Sequence, residues 1–500
     1  MPQHYANVTL SPGALSDHRE STLLDELRVE RQRGISLVEQ IVGKLDRLVE
    51  SGRLKPGTKT PSVRELAKAL GVSTFTITEA YEVLVSRRIL NSRPGSGYFV
   101  ASRTAQMPVF NDAPSKLLPA GDTPWTSVQI WNEHPDMLPV GCGWLPPEWC
   151  SESMLLQALR QATRMPAQRL VGYGHPLGFR RLRHMLARDF SERFCTVSPD
   201  QIVLTNGVTH GLDLVMRNLV RMGDTVLVED PGYFYFHDLL RKWGINVVGV
   251  RRTGDGLDAD ALARLAALHR PKAIFVNTAL QNPLSTTLSM ANAHRVIALA
   301  EQYDFWIVED DIFRDLCGPS DASLAALDGF NRVICIGGFS KTIAPSLRVG
   351  YVLCPERLLS DLLHTKMICG LTTSELNERC VFELLSDPSH RRYIDRLRTR
   401  LSNDRERFLA TLAELRMATL ATPRGGLFVS AGWQVEPSPA FNSQTVVDAG
   451  RRAGIALAPG DLFYVDTPAD SVWFRFNVAY CDSPKLHAFL GEMAVIALGG

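Results

Sequence analysis

Five short runs, Ile202-Val-Leu-Thr, Thr225-Val-Leu-Val, Ala273-Ile-Phe-Val, Phe305-Trp-Ile-Val and Val333-Ile-Cys-Ile, constrain the fold of this chain more than any other feature. A strand with one wet face alternates apolar and polar residues, so near-continuous apolar runs belong to strands covered on both faces, as in a mainly parallel sheet. Helical stretches such as Val208 to Met222 and Met290 to Gln302 separate several runs and can supply the cover. The expectation is an α/β body over residues 138–500. A chain of 500 residues also exceeds what one core usually holds, so at least one further domain is expected.

In an open α/β sheet, ligands bind beyond the carboxyl ends of the strands, so the residues that follow each run should face one crevice. After the first run, Gly207, Val208 and Thr209 open a helix whose free amides, dipole and hydroxyl suit a phosphate. After the second, the ring of Tyr233 can stack on a heteroaromatic ligand. The third leads to Asn282, an amide able to donate to a phenolic oxygen, and the fourth to Glu309-Asp310-Asp311, a carboxylate source for a protonated pyridine nitrogen. The fifth ends in Ser340 and Lys341, a candidate Schiff-base amine, and Arg348 offers a forked donor to the phosphate. Each has an ordinary explanation taken singly: a surface charge, a turn, a helix cap. Arriving together and in this order, they point to pyridoxal 5'-phosphate.

The segment 35–101 follows different rules. Leu37, Ile41, Leu45 and Leu48 have helical spacing up to Gly52, a second helix follows Pro61-Ser62 and stops at Gly71, and Ser73 can cap a third that turns Ile77, Ala80, Tyr81 and Leu84 inward. Arg93-Pro-Gly-Ser-Gly-Tyr-Phe-Val then reads as a Gly-rich turn between two short strands. Three helices and a wing are expected, a winged helix-turn-helix. Its second paired helix would enter the DNA major groove through Ser73, Thr74 and Thr76, with Arg64, Lys68 and Arg93 on phosphates. Between Ile35 and Val100 there are ten Lys/Arg against six Asp/Glu, a local excess in a chain whose net charge is only +1.

Residues 1–34 form an extension with no assigned function, and the proline-rich stretch 102–137 reads as a linker. The nine cysteines show no Cys-x-x-Cys pair and no His/Cys cluster, which disfavours a metal site and fits reduced thiols. No apolar run approaches the roughly 18 residues of a membrane span and the start lacks a signal peptide, so a cytoplasmic location is expected.

Gly141-Cys-Gly-Trp-Leu-Pro, Tyr173-Gly-His-Pro-Leu-Gly178, Glu229-Asp-Pro-Gly-Tyr233, Phe339-Ser-Lys-Thr-Ile-Ala-Pro-Ser-Leu-Arg348, Gly425-Gly-Leu-Phe428 and Phe474-Arg475-Phe resemble the fold-type I aminotransferases. With the amino-terminal segment, where Pro61-Ser-Val-Arg64 matches the GntR pattern, the chain resembles the MocR/GabR branch of the GntR regulators. The resemblance implies a small C-terminal α/β subdomain and a homodimer in which the reader domain of one chain packs on the body of the other. It implies that Lys341 binds the cofactor covalently, Asp310 pairs with the ring nitrogen, Asn282 with the ring oxygen, Tyr233 stacks, and Arg475 takes the α-carboxylate of an amino-acid ligand. The function implied is a transcription regulator that senses an amino compound. The alternative is an active aminotransferase with a non-essential winged helix. Four positions depart from the patterns: Phe313 where a Tyr hydroxyl is common, Tyr235 where regulators of the GabR type have Arg, Gly338 where a hydroxyl residue commonly meets phosphate, and Thr74 where GntR proteins have Arg.

Overall fold

The computed structural model describes residues 27, 29, 36–87, 89–101, 136–318, 323–466 and 472–499. The extension and the linker therefore lie almost wholly outside the described residues. The chain divides into two compact units, Met1–Pro119 and Ala120–Gly500.

In the first unit, helix Leu37–Glu50 begins at a capping box in which the Ser36 hydroxyl accepts from Glu39 N at 3.1 Å and the Glu39 carboxylate accepts from Ser36 N at 2.9 Å. Helix Val63–Leu70 repeats the device with Ser62 and Glu65, and ends at Gly71, whose φ of 65° is the left-handed conformation that glycine adopts without strain. Helix Thr74–Ser86 is capped by Ser73. Strands β1 (Leu90–Arg93) and β2 (Gly97–Val100) pair antiparallel as the wing. The core gathers Ile41, Leu45, Leu66, Ile77, Ala80, Tyr81 and Leu84. Leu27, eight residues before the expected start of the domain, is fully buried in the same cluster.

The second unit holds an eight-stranded sheet of β3 (Ile202–Thr205), β4 (Thr225–Asp230), β5 (Asn246–Thr253), β6 (Gly256–Leu257), β7 (Ala273–Asn277), β8 (Trp306–Asp310), β9 (Val333–Gly338) and β10 (Gly350–Leu353). Their order is β3-β10-β9-β8-β7-β4-β5-β6. Neighbours from β9 through β8, β7 and β4 to β5 run parallel, while β10 is antiparallel to both β3 and β9, and β6 to β5. All five apolar runs are strands of this mainly parallel sheet. Two clusters of buried side chains cover its faces, one including Leu204, Ile274 and Ile307 and the other Val203, Phe275 and Val308, alternate residues of the same strands.

A second, antiparallel sheet of β11 (Ala418–Thr419), β12 (Phe428–Trp433), β13 (Ala458–Pro459) and β14 (Val472–Asn477), in the order β11-β12-β14-β13, packs with helices Pro388–Glu414 and Pro484–Leu498 around a third core. This is the small C-terminal subdomain. The segment around Leu138 to Cys142 runs along it, Gly141 N donating to Ala456 O and Asn477 N to Val140 O. That course carries Gly141, Cys142 and Gly143 to the carboxyl edge of the large sheet. No helix among the described residues is long and apolar enough to cross a membrane.

Candidate functional site

At the end of β8, three adjacent carboxylates have three different fates. Glu309 is buried and accepts from the hydroxyls of Thr278 and Ser323 and from the amides of Leu324 and Ala325, so it caps the following short helix. Asp311 holds Arg314 at 2.8 Å. Asp310 is left, with one backbone donor, Ile312 N at 3.0 Å. Burial pushes its carboxyl up to about 7; that hydrogen bond pulls it down, Asp311 pushes it further up, and Lys341 opposes the rise. Of the acidic triplet, Asp310 is thus the carboxylate with the fewest partners.

Lys341 lies just past β9. Its amine donates to Gly143 O at 2.6 Å, close enough that a Cβ on Gly143 would stand 3.3 Å from the nitrogen. Desolvation brings the amine down to about 8, and Arg475 and then Arg348 push the same way, against Cys142 and Asp310. The ring centroid of Phe313 is 6.0 Å from the amine. Phe313 packs edge-on against Phe428 in the core of the small subdomain, so this side of the amine meets a phenyl ring and no hydroxyl.

Arg475, on β14, is buried. One arm donates to Asn282 Oδ1 at 2.8 Å and another to Gly141 O at 2.5 Å, its guanidinium lies over the rings of Phe428 and Phe463, and its Nε has no partner among the described residues. Burial lowers it to about 10, and no carboxylate among the described residues lies within ion-pair distance. Asn282 is anchored through its own N to Asn277 Oδ1 at 2.9 Å. Tyr233 begins helix Phe234–Lys242; burial raises its phenol, Asp310 adds to the rise, and a hydrogen bond with Thr209 opposes it.

Gly207 precedes helix Val208–Leu219 with φ 79°, and a Cβ there would lie 2.6 Å from an arm of Arg348. Only glycine lets that guanidinium settle at the amino end of the helix, where it also donates to Asn206 O at 3.3 Å. Gly338 has a packing reason as well: a Cβ there would stand 3.1 Å from Val208 Cγ2 and 3.2 Å from Val349 O. Ser340 is half-buried beside Lys341. The fold therefore brings Gly207, Val208, Thr209, Tyr233, Asn282, Asp310, Ser340, Lys341, Arg348 and Arg475 to one edge of the second unit. Cys142 and Gly143 join them unforeseen, as neighbours of Lys341 and Arg475; the Gly141-Cys-Gly-Trp motif was the available signal.

In the first unit, Arg64 and Lys68 are exposed on helix Val63–Leu70, and Arg93 lies over the ring of Phe99 at 4.6 Å. The hydroxyls of Ser73 and Thr76 lie 2.8 Å apart, and Ser73 also accepts from Thr76 N. Both are engaged in starting the helix, while Thr74 and Phe75 are exposed.

Residues 150–492 match the family model "Aminotransferase class I and II" and residues 37–100 match "Bacterial regulatory proteins, gntR family". The chain belongs to the aminotransferase class I and II family, whose members depend on pyridoxal phosphate, and carries an amino-terminal gntR-family module. That combination is the one found in MocR-type regulators. The chain is 30% identical over 356 residues to the HTH-type transcriptional regulator YjiR of Escherichia coli, covering 70% of this chain and 76% of that one. It is 28% identical to the probable rhizopine catabolism regulatory protein MocR of Rhizobium meliloti, over 79% of this chain and 81% of that one. Among solved structures, Pyrococcus horikoshii kynurenine aminotransferase aligns with a TM-score of 0.68 at 22% identity, covering 80% of this chain and 99% of that one. LysN, the α-aminoadipate aminotransferase of Thermus thermophilus, gives 0.67 at 23% identity, over 75% and 94%. These two likenesses concern the fold.

Proposed function

We propose that the protein is a MocR-type transcription regulator whose winged helix binds promoter DNA and whose aminotransferase-like body binds pyridoxal phosphate at Lys341 and senses an amino compound. The observation that carries the proposal is the gathering of Lys341, Arg348 and Arg475 at one sheet edge, where burial first, then Arg475 and Arg348, depress the amine against Cys142 and Asp310. Cations gathered in this way suit an anionic ligand, and a phosphate with a ligand carboxylate would match them. The unpartnered Nε of Arg475 and the Gly207 cradle under Arg348 fit the same group.

When bound, pyridoxal phosphate supplies an aldehyde that a primary amine can engage and a protonated pyridine ring that draws electrons. Lys341 is the residue whose amine would hold it. Asp310 keeps the proton on the ring nitrogen, and a cation placed against that carboxylate returns it toward the ionised form. Tyr233 orients the ring by stacking, and the Asn282 amide donates to the ring oxygen. Gly207, Val208, Thr209, Ser340 and Arg348 bind the phosphate, and Arg475 binds the carboxylate of the effector. Phe313 supports sensing over turnover, because it offers no hydroxyl to move a proton near Lys341. The protein acts in the cytoplasm as a homodimer, presenting two recognition helices to two DNA half-sites, with Arg64, Lys68 and Arg93 on phosphates and the Ser73 to Thr76 turn in the groove.

The test is the absorbance spectrum of cofactor-supplied protein and of Lys341→Ala while a panel of amino acids is added. We expect a visible cofactor band in the parent that is absent from the variant, and that shifts with an effector and then persists. Release of a keto acid would make the protein an aminotransferase. A parent without the band would remove Lys341 from its assigned role.

A further inference from the structure

We infer that Phe75 is a specificity-determining residue of the DNA site, its phenyl ring receiving the 5-methyl group of a thymine in the major groove. The inference rests on the DNA-binding proposal above. Phe75 is 75% exposed in the first turn of helix Thr74–Ser86, whose Ile77, Ala80, Tyr81 and Leu84 are buried in the core with Val83 and Val85 packed against it. The polar groups around it are mostly committed. Ser73 and Thr76 hold each other at 2.8 Å, and the Thr78 hydroxyl donates to Thr74 O at 3.0 Å. Farther along, Glu79 and Glu82 are exposed and would be repelled by phosphates, so the helix can approach DNA closely only through its amino end. At that end the helix dipole is positive, and Arg64 and Lys68 of the preceding helix are exposed. The group that leads the approach is thus a phenyl ring. The thymine methyl is the apolar feature that a base pair presents in the major groove, and phenylalanine is one of the side chains suited to it.

The experiment uses the full-length protein to select duplexes from a randomised pool at fixed salt, then replaces each dT of the best duplex by dU, which deletes only the methyl. We expect one thymine in each half-site at which dU weakens binding about fourfold, the equivalent of ~0.8 kcal/mol for one buried carbon. Phe75→Ala should bind dT and dU alike at that position while keeping the salt slope, because phosphate contacts are untouched. Phe75→Leu should retain part of the preference. Indifference of the parent to dU at every thymine, or undiminished methyl sensitivity in Phe75→Ala, would overturn the inference and leave DNA binding in place. Failure to bind any duplex would remove the DNA-binding proposal and this inference with it.

Discussion

The amine of Lys341 shows how much one side chain's chemistry depends on its surroundings. Burial and the guanidiniums of Arg475 and Arg348 all favour its neutral form, and bring it from an ordinary 10.5 to about 8. The neutral amine is the nucleophile, so the rate at which apoprotein attaches pyridoxal phosphate should rise with pH about a midpoint near 8. Removing one of the depressing cations, as in Arg475→Met, should move that midpoint upward. Stopped-flow growth of the cofactor band across a pH series measures both. A profile that keeps climbing into the ordinary lysine range in the parent protein would refute the account of an amine depressed by desolvation and nearby cations. Most of these residues were read from their positions after the apolar runs, and Arg475 from the family resemblance, but their partners were not legible. That Asp310 has fewer partners than its neighbours depends on Ser323 and Arg314, and that Arg475 meets Asn282 and Gly141 depends on how β14 packs.

Among the elements, the recognition helix is held to the rest of the reader unit through Tyr81. Its hydroxyl donates to Pro61 O at 2.8 Å and its ring lies 4.7 Å from that of Tyr98 on the wing. Tyr81→Phe keeps the ring contact but deletes the hydrogen bond, which should cost about 1 kcal/mol. Hydrogen exchange should report this as lost protection in helix Thr74–Ser86 with none lost in the aminotransferase-like body; loss in both units would mean that the bond does not act locally. The helix boundaries here were legible because local chemistry sets them: Ser62 with Glu65 at one end and Gly71 at the other bracket helix Val63–Leu70. Strands β3, β4, β7, β8 and β9 were legible because burial on both faces leaves an unbroken apolar run. Strand β5 was not, since Asn246–Thr253 is only partly covered and its short valine run contains a glycine and is flanked by polar residues. The two-residue strands β6, β11 and β13 carry too little sequence for any period to show.

At the scale of the whole molecule, the question is whether the two units exchange free energy. An effector held by Arg475 can alter DNA binding only if it has different affinities for the protein's DNA-competent and DNA-incompetent states. If the effector changes promoter affinity by some factor, bound promoter must change effector affinity by the same factor, and couplings of this kind span roughly 5- to 150-fold. The expected outcome is therefore a matched pair of titrations. Labelled promoter DNA is titrated with cofactor-loaded protein with and without effector, and effector is titrated, by the shift of the cofactor band, into protein with and without saturating promoter. Arg475→Lys, which keeps the charge but not the fork, should weaken effector binding in both arms while leaving effector-free promoter affinity unchanged. A factor of one in both titrations of the parent protein would mean that the aminotransferase-like body binds its ligand without governing the DNA reader, and regulation by that ligand would have to be abandoned.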